Sequence, residues 1–118
     1  MDIINPTTDY NFQYKTNYKC LMPANTYGPN DNYDLQTAHV LPTFIRKFHE
    51  AKINNSPEVV VWGTGTPKRE FMHVDDLADA CFFLMNTYNQ AGLINVGTGN
   101  DLTITELAEM IKEVENYE

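Results

Sequence analysis

Four side chains in this sequence have the types needed to recognise an anionic ligand that carries a ring: His39, Lys47, Trp62 and Arg69. His39 stands where a loop of turn-forming residues hands over to a helical pattern, a position exposed enough for an imidazole to exchange a proton with a ligand. A surface histidine at a helix start would look the same. Arg69 offers a bidentate fork for phosphate oxygens, Lys47 a point charge, and Trp62 a flat ring against which a base or sugar can lie. Ordinary salt bridges and core packing account for each one separately; their joint occurrence makes them a candidate set.

Other patterns carry less. A dinucleotide seat needs a strand followed by G-x-G-x-x-G opening a helix, so that backbone N–H groups meet the pyrophosphate. Gly63-Thr64-Gly65 runs into Pro67 and Arg69, and Gly97-Thr98-Gly99 has no third glycine, so both read as strand-to-loop turns. His73-Val74-Asp75-Asp76 could suggest a metal pair, yet an apolar helical run follows and makes Asp75 or Asp76 a helix N-cap; no metal is expected. Cys20 and Cys81 have neither metal-knuckle nor CxxC spacing and read as buried thiols.

The elements that must position these residues alternate between strand and helix. The first nine residues read as a turn or frayed start, with order beginning near Tyr10. Tyr18 to Met22 reads as a buried strand, and the turn-rich loop from Pro23 to Asn32 after it reads as functional. Val40, Leu41, Phe44, Ile45 and Phe48 predict a helix from about Ala38 to Ile53, with Pro42 tolerated in its first turn. Val59-Val60-Val61-Trp62 predicts a strand, and Phe71 to Val74 another. The helix after Asp75 and Asp76 is apolar on most sides and is therefore expected to be well buried. Leu93 to Val96 predicts a strand. Thr103 and Glu106 form a capping box for a last helix carrying Ile104, Leu107, Ile111 and Val114, which is expected to end without a cap. The alternation predicts an α/β fold with parallel strands.

The 118 residues suffice for one domain, and a formal charge of −8 disfavours nucleic acid, whose phosphates attract clustered Lys and Arg. No apolar run approaches the ~20 residues of a membrane helix. No leader pattern occurs at Met1-Asp2-Ile3-Ile4, so the cytoplasm is the expected location.

Four segments are specific enough to name a family: Leu21 to Asn32, His39-Val40-Leu41-Pro42, Val59 to Asp76 and Ile94 to Gly99. Together they resemble GDP-L-fucose synthase, an extended short-chain dehydrogenase/reductase of the NAD-dependent epimerase/dehydratase family. The block from Trp62 to Asp76 discriminates most. The resemblance runs from about Tyr10 to Tyr117, leaving residues 1–9 unmatched and 10–118 as a partial epimerase domain. It implies the last strands of a Rossmann-like parallel sheet plus much of a nucleotide-sugar-binding lobe. It also implies a two-step reaction, in which GDP-4-keto-6-deoxy-D-mannose is epimerised beside its ketone and then reduced by NADPH to GDP-L-fucose. Carried over, His39 resembles the family's acid/base histidine, which also lies beside the cofactor. Pro23, Ala24, Asn25 and Thr26 match the loop whose backbone lines the nicotinamide side, and Lys47, Trp62 and Arg69 match substrate-contacting positions. The family is homodimeric.

The family's Tyr-x-x-x-Lys pair occurs nowhere in these residues, and neither does its glycine-rich fingerprint. The expectation is therefore a chain from the middle and later part of such an enzyme that binds GDP-sugar and has little activity alone. Two alternatives stand beside it: a noncatalytic module that pairs with a separate N-terminal piece, and a fragment of an epimerase acting on another nucleotide sugar.

Overall fold

The computed structural model describes residues 6–118. The leader reading at Met1 to Ile4, and the first part of the expected frayed start, lie outside the described residues. Ten elements follow one another: α1 Pro6–Tyr14, β1 Cys20–Pro23, β2 Asn25–Tyr27, α2 Val40–Ile53, β3 Lys68–Arg69, β4 Phe71–His73, α3 Val74–Thr87, β5 Leu93–Val96, β6 Leu102–Thr103 and α4 Ile104–Glu115. Among the described residues the strands pair as β1 with β5, β2 with β4 and β3 with β6. The architecture is mixed α/β with a parallel pair, as the alternating pattern predicts. The chain divides into two compact units, one of Met1–Thr26 with Phe71–Thr98 and one of Tyr27–Glu70 with Gly99–Glu118.

In the first unit β1 and β5 run parallel, in register from Cys20 opposite Leu93 to Pro23 opposite Val96. The Ala24 N–H donates to the Val96 carbonyl at 2.8 Å and carries the pairing one step further. The strand expected from Tyr18 starts two residues later because the Asn11 side-chain amide occupies the backbone of Tyr18, donating to its carbonyl and accepting from its N–H, both at 2.8 Å. Where a frayed start was expected, α1 begins at Pro6, a residue whose fixed φ and missing N–H suit the first helical position. Among the described residues of this unit, Met72 and Val96 are the buried apolar side chains.

The reading of α3 needs a larger correction. The helix forms, but none of its residues is buried, and Phe82, Phe83 and Met85 are each more than 60% exposed. Cys81, expected inside, is exposed as well. An apolar composition creates demand for cover, and the elements sharing this unit with α3 do not provide it. The cap also differs: the strand runs through His73, so His73 takes the N-cap position and its Nδ1 accepts from the Asp75 N–H at 3.1 Å. Asp75 and Asp76 fall in the first turn, where their charges face the positive end of the helix dipole.

The second unit is built on two helices. Phe44, Phe48 and Ala51 of α2, at helical spacing on one face, are buried, as are Leu107, Ala108 and Ile111 of α4. Pro42 is fully buried in the first turn of α2, where its missing N–H breaks no helical bond. The capping box of α4 is complete: Thr103 Oγ1 accepts from the Glu106 N–H at 3.0 Å, and Glu106 Oε2 accepts from the Thr103 N–H at 2.7 Å. The far end is capped too, contrary to expectation. Asn116 adopts a left-handed conformation, φ 52° and ψ 46°, and lets the Tyr117 N–H donate to the Lys112 carbonyl at 3.1 Å. Tyr117 then packs edge-on against Phe48, with ring centroids 5.6 Å apart, and its hydroxyl donates to the Ser56 carbonyl at 2.6 Å.

Candidate functional site

His39, Lys47, Trp62 and Arg69 all belong to the second unit. His39 is the N-cap residue of α2, extended at φ −68° and ψ 168°, and its exposed side chain makes no capping hydrogen bond. Its imidazole is thus not consumed by the helix end that it marks. The approach to it is fixed by Asp34, whose Oδ1 accepts from the Gln36 N–H, the Thr37 N–H and the Thr37 hydroxyl, each at 3.0 Å. These bonds, led by the one from Gln36, hold the Asp34 carboxyl below its ordinary range, with a smaller contribution from Arg46. Arg46 Nη1 donates to the Tyr33 carbonyl at 2.9 Å and fastens the same loop to α2.

Lys47 follows on the same helix, about 12 Å further along the axis at 1.5 Å per residue. Its Nζ donates to the Val60 carbonyl at 3.1 Å and sits 4.5 Å from the centre of the Trp62 ring. The structure therefore joins two residues that the sequence could only list together. It also explains why Val59 to Trp62 forms no strand, contrary to the β-branched pattern. Among the described residues this segment has no ladder partner, and the Val60 carbonyl is taken by Lys47. β propensity reflects packing on neighbouring strands more than a preference of the backbone itself. Trp62 stands 74% exposed.

Arg69 lies on β3, exposed, with Nη1 donating to the Lys68 carbonyl at 2.7 Å. That leaves most of its five N–H donors for a ligand. β3 is antiparallel to β6, with Arg69 opposite Leu102. Beside it, a Glu70 carboxyl oxygen accepts from the Gly99 N–H at 2.8 Å. A cavity of about 290 Å³ is lined by Lys47 with Glu50, Asn54, Ser56, Glu58 and Val60. Another, of about 460 Å³, is lined by Phe48, Val59, Val61, Thr105, Ala108 and Tyr117 among others and includes none of the four candidate residues. The first is the more relevant, because a charged donor from the candidate set opens into it.

The glycine pairs serve as turns. Gly63 and Gly65 have φ of 82° and 73°, and a Cβ on Gly65 would fall 2.1 Å from Thr105 Oγ1. That close approach lets the Gly65 carbonyl accept from both the N–H and the hydroxyl of Thr105, at 3.0 and 3.1 Å. The first turn of α4 is therefore satisfied by its own chain, as Pro67 O also receives the Ile104 N–H at 3.0 Å. With His73 capping α3 and a carboxylate on the Gly99 N–H, these donors do not form a pyrophosphate cradle. Pro23, Ala24, Asn25 and Thr26 lie in the first unit, on β1, β2 and the residue joining them. The Ala24 N–H is used by β5, and Asn25 and Thr26 are exposed.

Sequence reasoning overlooked Val60 as the partner of Lys47, and no residue type could have signalled it, since the contact is a main-chain carbonyl. The cap at His73 was missed because the strand was expected to run through Val74; it ends at His73 and leaves that residue, not Asp75, at the junction.

Comparison with known proteins places these features in a family. The family model described as "NAD dependent epimerase/dehydratase family" matches residues 4–97. GDP-L-fucose synthase 1 of Arabidopsis thaliana is 59% identical over 97 residues, which are 82% of this chain and 30% of that protein. GDP-L-fucose synthase of Escherichia coli (strain K12) is 50% identical over 117 residues, 92% of this chain and 36% of that one. Among solved structures, a GDP-L-fucose synthetase from Naegleria fowleri bound to NADP superposes with a TM-score of 0.82 at 26% identity, covering 94% of this chain and 35% of that one. The chain thus spans about a third of the length of the relatives it matches.

Proposed function

The chain belongs to the NAD dependent epimerase/dehydratase family, and from that membership we propose that it is the nucleotide-sugar-contacting part of a GDP-L-fucose synthase. The meeting of Lys47 with Trp62 in the unit that also carries His39 and Arg69 is the observation that supports this reading. Arg69 binds diphosphate oxygens, Trp62 supplies a flat apolar surface beside them, and Lys47 completes the set. The substrate is a GDP-linked 4-keto sugar, whose ketone acidifies the neighbouring C–H bonds. His39 exchanges protons at those carbons, a role suited to an exposed imidazole free of capping duty.

NADP(H) supplies the hydride in such an enzyme. Pro23 to Thr26 and His39 are this chain's proposed contacts to its nicotinamide side. The self-satisfied first turn of α4 and the capped start of α3 offer no free donors to its pyrophosphate. That observation also favours a second reading, a module that binds GDP-sugar without dinucleotide and pairs with a separate catalytic piece. A homodimeric state and a cytoplasmic setting belong to the proposal.

A thermal melt of the 118-residue chain with and without GDP-mannose tests the shared core of both readings. Ligand at 100 times its dissociation constant adds about 2.7 kcal/mol to a folded, binding-competent state. An upward shift with GDP-mannose and none with UDP-glucose is expected; an indifferent melt sinks both readings. NADPH titrated in the same way tests the second reading, because tight NADPH binding contradicts the module.

A further inference from the structure

The segment from Ser56 to Gly65 is fastened to its unit at both ends and left unpaired between them. At one end the Ser56 N–H donates to the Ala51 carbonyl at 2.9 Å, and the Ser56 carbonyl accepts from the Tyr117 hydroxyl at 2.6 Å. At the other, the Gly65 carbonyl accepts from the N–H and the hydroxyl of Thr105. Helix α4 starts beside Gly65 and ends close to Tyr117, so it runs alongside the segment, and both line the cavity of about 460 Å³. Burial alternates along the segment, with Val59 and Val61 half-buried and Val60 and Trp62 exposed. A period of two belongs to extended backbone, whose N–H and C=O groups point to opposite edges at successive residues. The edge of Val60 is in use, since its carbonyl accepts from Lys47 Nζ. The other edge is open: among the described residues the main-chain groups of Val59 and Val61 make no hydrogen bond, and both residues line the cavity.

These open groups select the occupant. A helix has already spent its main-chain donors and acceptors on itself, whereas an extended chain offers both at ladder spacing. Phe48, Val59, Val61, Ala108 and Tyr117 give the cavity an apolar wall for side chains at alternate positions. Glu58, Glu109 and Glu118 line it against the single cation Lys112, which leaves its rim negative. We propose that the groove between Val59–Val61 and α4 docks a β-strand of another polypeptide, with apolar side chains at alternate positions and Lys or Arg at its ends. The strand pairs with the open edge of Val59 and Val61 and supplies the ladder partner that the β-branched run lacks. The site goes beyond the GDP-sugar reading and does not depend on it. Because Ser56 and Gly65 are already anchored, docking orders mainly the incoming strand.

The probe is the peptide acetyl-Lys-Val-Thr-Val-Thr-Val-Lys-amide, added to the full chain, with hydrogen exchange followed residue by residue by NMR. Amides within α2 and α4 serve as the internal standard of folding. Bound peptide should slow exchange at the Val59 and Val61 amides about tenfold or more and leave Val60 unchanged. Two N-methylated versions, one on the valines and one on the threonines, each block one alternate set of amides. One version should bind about tenfold or more weakly, for the loss of two or more ladder bonds, and the other should bind nearly as well as the parent. A version with Glu in place of both Lys should bind several-fold more weakly at low salt. Equal effects of the two N-methylation patterns, or protection of Val60 together with its neighbours, overturn the strand pairing. Equal binding of the Glu-flanked peptide overturns the basic partner. Protection of Val59 and Val61 that rises with protein concentration in the absence of peptide makes a second copy the occupant and overturns the assignment to another polypeptide. Absence of binding by the folded chain overturns the site altogether.

Discussion

Helices α2 and α3 have the same length and α3 is the more apolar, yet α2 is a core element and α3 is not. On α2 the apolar side chains fall on one stripe, and that stripe meets α4, whose ends are closed by a capping box and by Asn116 with Tyr117. On α3 they spread around the helix, and no single neighbour in its own unit covers Phe82, Phe83 and Met85. Apolar composition therefore measures how much cover a helix needs, whereas periodicity shows what one neighbour can supply.

The sharpest break of that contrast is a matched pair of truncations. Phe48→Ala, at a side chain 5% exposed, should cost about 3–5 kcal/mol in urea unfolding. Phe82→Ala, at one 68% exposed, should stay within about 0.5 kcal/mol. Equal losses would mean that α3 is covered in solution. Next in size is Gly65→Ala, which meets Thr105 Oγ1 as well as a positive φ, against Gly63→Ala, which meets the φ alone. The φ cost is about 1–2 kcal/mol at either position, so the excess at Gly65 reads how tightly the turn grips α4.

Most of this frame was legible in the sequence, and the exceptions have identifiable causes. Helix α2, strand β5 and the capping box of Thr103 and Glu106 appeared as expected because each is specified by local pattern and side-chain chemistry. The strand at Val59 to Trp62 failed because a strand is completed only by a partner, and Lys47 took its carbonyl instead. The burial of α3 failed for the same reason, since burial is a property of neighbours. The four candidate side chains were recognisable by type, but only the structure joined Lys47 to Trp62.

Two smaller effects sharpen the account of α4. Thr103→Ala removes the cap and should cost about 1 kcal/mol by the same unfolding measurement, with fraying confined to the first turn in hydrogen exchange. Glu106 is held below its ordinary pKa of 4.5, first by the backbone bond from Thr103 and then by the Thr103 side chain. A carboxyl depressed in the folded state stabilises it fully above the unfolded value and loses that contribution as pH falls through the folded value. Unfolding midpoints followed downward from pH 5 should therefore drop more steeply for the wild type than for Glu106→Gln. Parallel curves would mean that the carboxylate adds nothing to the cap.

The pairing of Cys20 with Leu93 also has a consequence in time. A chain made from its N-terminus exposes β1 long before β5 exists. At roughly 5–20 residues per second of synthesis, the 73 residues separating Cys20 from Leu93 correspond to a delay of roughly 4–15 s. During that interval Cys20 to Pro23 presents unsatisfied hydrogen-bonding groups along both sides, open to whatever strand or chaperone arrives first. The span from Tyr27 to Glu70, by contrast, contains all of α2 and can begin to form helix while β1 waits.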